Sequence, residues 1–199
     1  MIIKLPLKET YADLCYLLEK PLKKGKNKRE QTAVLEKIEK ILNGRVIQQD
    51  RKFYLDVKGA GKFEMGLVSE GYRKLVTIMY LIQSDSLNAN SIIFWDEPES
   101  NMNPKMIPNI VMALCELSSM GVQVFVSTHS YFVQQAFDLQ RRKKEHGASD
   151  MKFFSLYHKE DDQDILYETA DSIGDLERNA IMEEFDAVYD REQELFYRD

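Results

Sequence analysis

The sequence predicts an α/β protein in which parallel strands are flanked by helices. Three consecutive segments carry that prediction. The apolar run Ile92-Ile93-Phe94-Trp95 ends in Asp96-Glu97-Pro98 and reads as a buried strand over residues 91–95. Residues 104–120 place Ile107, Ile110, Val111 and Leu114 at helical spacing, and Gly121 ends that helix. Residues 122–127 form a second apolar strand at once. Strand, helix and strand in this order make a right-handed parallel crossover. Ligands in such sheets bind beyond the carboxyl ends of the strands, where Asp96, Glu97 and His129 would fall.

The other elements follow in order. Residues 11–18 are an apolar-rich helix, and residues 20–30 a charged connector holding Pro21 and Gly25. Val34, Ile38, Ile41 and Leu42 recur at helical spacing, so residues 31–42 are an amphipathic helix stopped by Asn43-Gly44. Residues 46–49 and 53–57 are strands, and residues 62–67 return as another through Gly59-Ala60-Gly61. A helix over 72–83 follows. After the second parallel strand comes a helix over 131–144, with Phe132, Val133, Ala136, Phe137 and Leu139 as its apolar residues. Residues 152–158 and 164–168 are a hairpin around Glu160-Asp161-Asp162-Gln163. Residues 175–196 are a helical run whose apolar face carries Leu176, Ile181, Met182, Phe185, Val188 and Tyr189. Packing back on the domain is the default for that face, and docking a partner the alternative.

Composition narrows the function. The 199 residues are one or at most two domains' worth, and 44% hydrophobic content suffices for a core. A net charge of −6 and a pI near 5.3 argue against a globally basic nucleic-acid binder. The basic runs at residues 20–29 and 141–144 are local contacts at most, with solvated charge as the plain reading. Cys15 and Cys115 sit in apolar helical surroundings without metal-ligand spacing and read as buried free thiols, which fits a reducing cytoplasm. No secretory signal or membrane-length apolar run is visible. His146 follows a basic run and reads as exposed; neither it nor His158 has a site-like setting.

Three motifs carry chemistry. Two carboxylates at a strand end suit a metal-bound phosphate, because Mg²⁺ takes few carboxylates together with phosphate oxygens. Asp96 would hold the metal and Glu97 would polarise a water; a solvated acidic turn is the plain alternative. Ser69 and Gly71 precede the helix over 72–83. A helix N-terminus offers free N–H groups to a phosphate, while an ordinary Ser N-cap with Glu70 in the first turn is the alternative. His129 lies between Thr128 and Ser130 at the end of an apolar strand. A phosphate-cradling Gly-x4-Gly-Lys-Ser/Thr loop is missing. In Gly59-Ala60-Gly61-Lys62-Phe63 the first glycine position is Asp56 and the hydroxyl position is Phe63, so a hairpin turn is the better reading.

The ordered set Ser69-Glu70-Gly71-Tyr72-Arg73-Lys74, Asp96-Glu97-Pro98 and Ser127-Thr128-His129-Ser130 resembles the ABC-type ATPases. It looks most like their SMC/RecF-like branch, which includes AAA family ATP-binding proteins and the overcoming-lysogenization-defect (OLD-like) ATPases. The resemblance implies a partial P-loop NTPase fold with an N-terminal helical insertion over residues 1–52. It implies the C-terminal lobe of the ATPase over 53–168 and a helical tail over 169–199. It makes Asp96 the Mg²⁺ ligand, Glu97 the general base and His129 a γ-phosphate contact. Ser69 and Gly71 become the signature that touches ATP held by another subunit. Ser100, Asn101 and Asn103 become the D-loop, with Asn103 standing where Asp is usual. The expected cofactors are ATP and Mg²⁺. The expected partner is a second copy closing around ATP, or a half bearing the glycine-rich loop, with DNA or an effector protein beyond it and no membrane. A DNA-linked or phage-defence role is implied by resemblance only. The rival expectation is a non-catalytic interaction module, degenerate or split, that cannot bind ATP alone. A metal-nuclease reading of residues 160–163 is set aside, because too little chain follows for a further α/β domain.

Overall fold

The computed structural model describes residues 9–23, 25, 27–49, 52–143, 151–158 and 164–197. They divide into two compact units. The first holds the described residues up to Ile93 together with Met120–Val124, and the second holds Phe94–Ser119 with those from Phe125 onward. His146, Lys144 and the acidic turn at 160–163 lie outside the described residues.

The first unit opens with helices α1 (Glu9–Glu19) and α2 (Arg29–Leu42). Helix α2 ends at Asn43, whose left-handed backbone (φ +47°) returns its N–H to the Lys40 carbonyl at 3.3 Å. The chain then runs straight into an antiparallel sheet of β1 (Gly44–Gln49), β2 (Lys52–Val57) and β3 (Gly61–Glu64). Gly44 pairs with Val57, and a side chain at 44 would meet the Asp56 carbonyl at 2.6 Å, so only glycine fits. Residues 65–67, expected to prolong β3, wind instead into a 3₁₀ turn, which ends the strand early.

Helix α3 (Glu70–Gln83) starts two residues before the expected position. Its Leu75, Ile78, Met79 and Ile82 are buried, as are Val34, Ile38 and Leu42 of α2 and Val46 and Leu55 of the sheet. These residues are the apolar stripes that the 3.6-residue period of each helix and the alternation of each strand dictate. Buried Tyr80 meets Phe53 edge-on, ring centroids 4.4 Å apart, and its hydroxyl donates to the Lys20 carbonyl. That bond satisfies the one polar atom the ring carries inside.

Asp85, just past α3, adopts a left-handed backbone of φ +58°. Its carboxylate accepts from Lys23 Nζ at 3.0 Å and from Gln31 Nε2 at 3.1 Å, tying the connector and α2 to the end of α3. The hydrogen bonds from Lys23 and then Gln31 hold this carboxyl below its ordinary value of 3.8.

Strands β4 (Ile92–Asp96) and β5 (Gln123–Ser127) pair with each other. The Gln123 N–H donates to the Ser91 carbonyl at one end, and the Glu97 N–H donates to the Ser127 carbonyl at the other. Both chains therefore run the same way, as the crossover requires. The expectation of a buried strand is corrected. Ile92 and Phe94 are exposed, and Phe94 stacks on exposed Phe125 at 4.8 Å. Only alternate residues of these strands are shielded, because one face of the pair is left open among the described residues.

In the second unit, residues 104–106 form a 3₁₀ turn that leads into α4 (Ile107–Ser119). Helix α5 is Tyr131–Lys143. Ile107, Val111 and Cys115 of α4 pack with Val133 and Ala136 of α5, and Phe137 and Met151 close the cluster. The basic run at 141–144 is partly an internal structure rather than a solvated one. Arg141 and Arg142 both bind Asp138, which is only 1% exposed, at 3.1 and 2.5 Å. Strands β6 (Phe153–His158) and β7 (Ile165–Ala170) form the expected hairpin, with Leu156 opposite Tyr167. Helix α6 (Ala180–Phe196) begins five residues later than expected, because residues 173–175 take a 3₁₀ turn and Asn179 caps the helix, accepting from the Met182 N–H at 3.3 Å. Asn179 and Gln134 of α5 exchange side-chain hydrogen bonds at 3.2 and 3.4 Å, and Phe185 stacks on Tyr131 at 4.1 Å. Its first turns thus pack back on α5, while Val188, Tyr189 and Phe196 stay exposed.

Cys115 is buried as expected, but Cys15 is exposed. Helix α1 shields only Leu17 and Leu18 among its described side chains, leaving Leu14, Cys15 and Tyr16 outside. Burial, and secondarily neighbouring Glu116, pushes the Cys115 thiol up to about 11. A thiol reagent at pH 8 is expected to modify one cysteine of the native chain, Cys15, and the second only after unfolding; peptide mapping of the labelled protein checks this. A second expectation concerns Asp85. Because its folded carboxyl titrates below 3.8, its ion pair adds stability above that pH and loses it as pH falls through the lowered value. Asp85→Asn keeps a residue that tolerates φ > 0 and removes the charge. The variant should be less stable at pH 7 by under about 1 kcal/mol, since the pair is partly exposed. Denaturant titrations should show that gap closing below pH 4.

Candidate functional site

The site is built where β4 and β5 end, within the second unit. Asp96 is the last residue of β4, and its Oδ1 accepts the Ser127 hydroxyl proton. Glu97 comes next and turns the chain sharply, with a left-handed φ of +45°. Its N–H is held by the Ser127 carbonyl at 2.9 Å. A glutamate in that conformation is costly by about 1–2 kcal/mol, and such residues persist where the surroundings fix them. Pro98, which is buried, locks the next turn. The Asp96 and Glu97 side chains both remain exposed to solvent.

The segment after Glu97 is a closed turn. The Ser100 N–H and hydroxyl both donate to the Glu97 carbonyl, at 3.0 and 2.8 Å. Asn101 takes a left-handed φ of +58°. Asn103 Oδ1 accepts from the Lys105 N–H at 3.0 Å and caps the 3₁₀ turn. Asn can fill that capping role as well as Asp. The Ser100 and Asn103 side chains therefore support local structure in this conformation.

Opposite, Thr128 hydroxyl donates to Glu99 Oε1 at 2.5 Å and accepts from the Ser130 N–H at 3.0 Å. His129 lies between them and is exposed. No described residue shares a hydrogen bond with its imidazole. The structure thus brings Asp96, Glu97 and His129 to one end of one strand pair. Sequence reading placed Glu99, Ser127 and Thr128 in the motifs but gave none of them a role, and the bonds they make here were not visible to it. Ser127 was findable as the residue that ends the neighbouring parallel strand.

Ser69 and Gly71 belong to the first unit. Ser69 is extended (φ −60°, ψ 154°) at the N-cap of α3, yet its side chain makes no capping bond. Ser69 thus occupies the N-cap with Glu70 in the first turn, as the plain capping alternative expects, and its exposed hydroxyl makes no capping bond. Gly71 is buried in the first turn. Arg73 pairs with Glu70 on the same turn. Residues 59–62 form the hairpin turn: Gly59 and Gly61 have φ of +81° and +91°, and Val57 pairs with Gly61 across it. Lys62 Nζ reaches Gln49 at 3.4 Å instead of converging on a phosphate cradle.

Asp96 suits a Mg²⁺ site made with phosphate oxygens: its carboxylate is exposed and oriented by a hydroxyl. Among the described residues, no three His, Cys, Asp or Glu side chains gather as a metal cluster. The donor set fits a metal that arrives with a nucleotide and keeps few protein ligands. No described helix is long and apolar enough to cross a membrane.

Residues 6–133 match the model of a family described as "AAA domain, putative AbiEii toxin, Type IV TA system". The Old nuclease of Escherichia phage P2 is 39% identical over 62 residues, 29% of this chain and 11% of that protein. The match therefore spans about a tenth of that relative's length. Among solved structures, a SmcHead bound to the C-winged helix domain of ScpA aligns with a TM-score of 0.50 and 13% identity. That alignment covers 73% of this chain and 42% of the other. The Pyrococcus furiosus Smc head domain, with an extended coiled coil and bound to the C-terminal domain of ScpA, aligns at 0.49 and 10%, covering 80% and 37%. The chain shares part of the P-loop NTPase fold of the SmcHead.

The left-handed Glu97 generates a prediction independent of activity. Glu97→Gly removes the side-chain strain at this φ. It should leave the thermal midpoint unchanged or higher, whereas glycine at Trp95 in the strand should lower it. Differential scanning calorimetry distinguishes the two.

Proposed function

The chain belongs to this AAA-domain family, and from that premise we propose that it supplies the hydrolytic edge of an ATP site. The observation that carries the reading is the convergence of Asp96, Glu97 and His129 at the ends of two parallel strands. Glu97 takes the proton of the attacking water on its carboxylate. Its fixed backbone turn aims that carboxylate outward. Asp96 would hold Mg²⁺, with the Ser127 hydroxyl orienting its carboxylate. Bound Mg²⁺ would neutralise charge on the phosphate oxygens. His129 donates a hydrogen bond toward the γ-phosphate from the facing strand end. Ser69 and the first N–H groups of α3, with Gly71 allowing close approach, contact ATP carried by another copy.

The cradle for the remaining phosphates must come from outside these 199 residues, because the one glycine pair before a lysine is a hairpin turn. The working form is therefore an ATP-closed assembly, either of two copies or with a half that bears the loop. Residues 1–52 would act as an insertion, 53–168 as the catalytic lobe and 169–199 as its tail. Ser100, Asn101 and Asn103 would face the partner as a D-loop. A cytoplasmic setting suits the two unpaired thiols. DNA-linked or phage-defence work is the role that the family and the phage relative favour.

A second reading is a non-catalytic interaction module, favoured by the missing loop. Calorimetry on the chain alone should detect no Mg-ATP binding at millimolar nucleotide. Micromolar binding would overturn the need for an outside cradle. In an assembly that supplies the loop, Glu97→Gln should bind ATP normally, accumulate the closed state by light scattering and lose about 10²–10⁴-fold in turnover. Unchanged turnover would sink the base assignment and leave the module reading standing.

A further inference from the structure

Glu99 stands two residues beyond Glu97 and has no role in the scheme above. Its Oε1 accepts the Thr128 hydroxyl proton at 2.5 Å, a short, charge-assisted bond. The same hydroxyl oxygen accepts the Ser130 N–H at 3.0 Å. Thr128 and Ser130 flank His129 directly, so one carboxylate reaches both sides of the histidine through one hydroxyl. The Ser130 carbonyl in turn accepts the Gln134 N–H at 3.2 Å and starts α5. The second carboxylate oxygen, Oε2, is buried without a hydrogen-bond partner among the described residues. Burying an unpaired carboxylate oxygen opposes folding, and an amide or apolar residue would be less costly. Stability alone does not account for a glutamate here.

We propose that Glu99 is a positioning residue, which through the Thr128 hydroxyl fixes the turn that carries His129. Only its effect on turnover rests on the nucleotide reading; its effect on His129 does not. The geometry separates hydrogen bonding from charge. Glu99→Gln keeps a carbonyl acceptor for Thr128 and removes the buried charge. Glu99→Ala removes the acceptor, and Thr128→Val removes the donor at similar size.

The test is NMR of the His129 ring and the Ser130 amide in the 199-residue chain, with thermal midpoints on the same samples. Glu99→Ala and Thr128→Val should displace these signals in the same way, and the double variant should add nothing further. Glu99→Gln and Thr128→Ser should stay near the parent spectrum, with the midpoint of Glu99→Gln equal or higher. In an assembly competent for hydrolysis, Glu99→Ala should lower kcat on the order of 10- to 100-fold at unchanged KM. His129 signals that superpose on the parent in both Glu99→Ala and Thr128→Val would overturn the proposal. If Glu99→Ala does not fold, Thr128→Val alone decides it by the same signals. Displaced His129 signals with unchanged turnover would uphold the positioning role and overturn the part given to His129 in ATP hydrolysis.

Discussion

The hydrogen bond from the Glu97 N–H to the Ser127 carbonyl is the constraint on which the site depends. It is the last rung of a two-strand parallel pair, and it fixes where both strands stop. Asp96 is thereby set beside Ser127, and Glu97 is forced out of the strand into a left-handed turn. Asp96, Glu97 and His129 all lie within two residues of that rung. A parallel pair is needed for this, because only then do two carboxyl ends meet on one edge.

The residues around the rung divide into those that face outward and those that hold them. Asp96, Glu97 and His129 are exposed. Ser127, Thr128, Glu99 and Ser100 are engaged in bonds that shape the two turns. This division keeps the turn backbone bonded while the Asp96, Glu97 and His129 side chains stay exposed to solvent. The unpaired Glu99 oxygen and the left-handed Glu97 backbone are local departures from lowest energy. Such departures gather where geometry is needed for more than stability.

The apolar surface completes the picture of an edge without its cover. Ile92, Phe94 and Phe125 are exposed on strands whose sequence reads as core. Phe154, Leu156, Ile165 and Tyr167 are likewise exposed on one face of the β6–β7 hairpin. Burial of large apolar side chains is the main favourable term in folding. Exposed groups of them mark surfaces that other protein covers.

Periodicity in the sequence determined α2 through α5, the hairpins and the parallel crossover, because each pattern of apolar residues admits one regular element. The ordered motifs, through their resemblance to a family, pointed to Asp96, Glu97 and His129 as the candidates at the strand ends. The sequence identified the hairpin at Gly59-Ala60-Gly61, where turn chemistry is local. It could not see that Cys15 faces outward, that α6 starts at Ala180, or that one face of β4 is bare. Those features depend on which neighbours exist to cover a surface, and on a cap at Asn179 shared with Gln134, forty-five residues away. Nor could it show that Glu99 is tied to Thr128 across 29 residues. Sequence spacing encodes contacts along one element; bonds between the ends of two different strands exist only once the strands are paired.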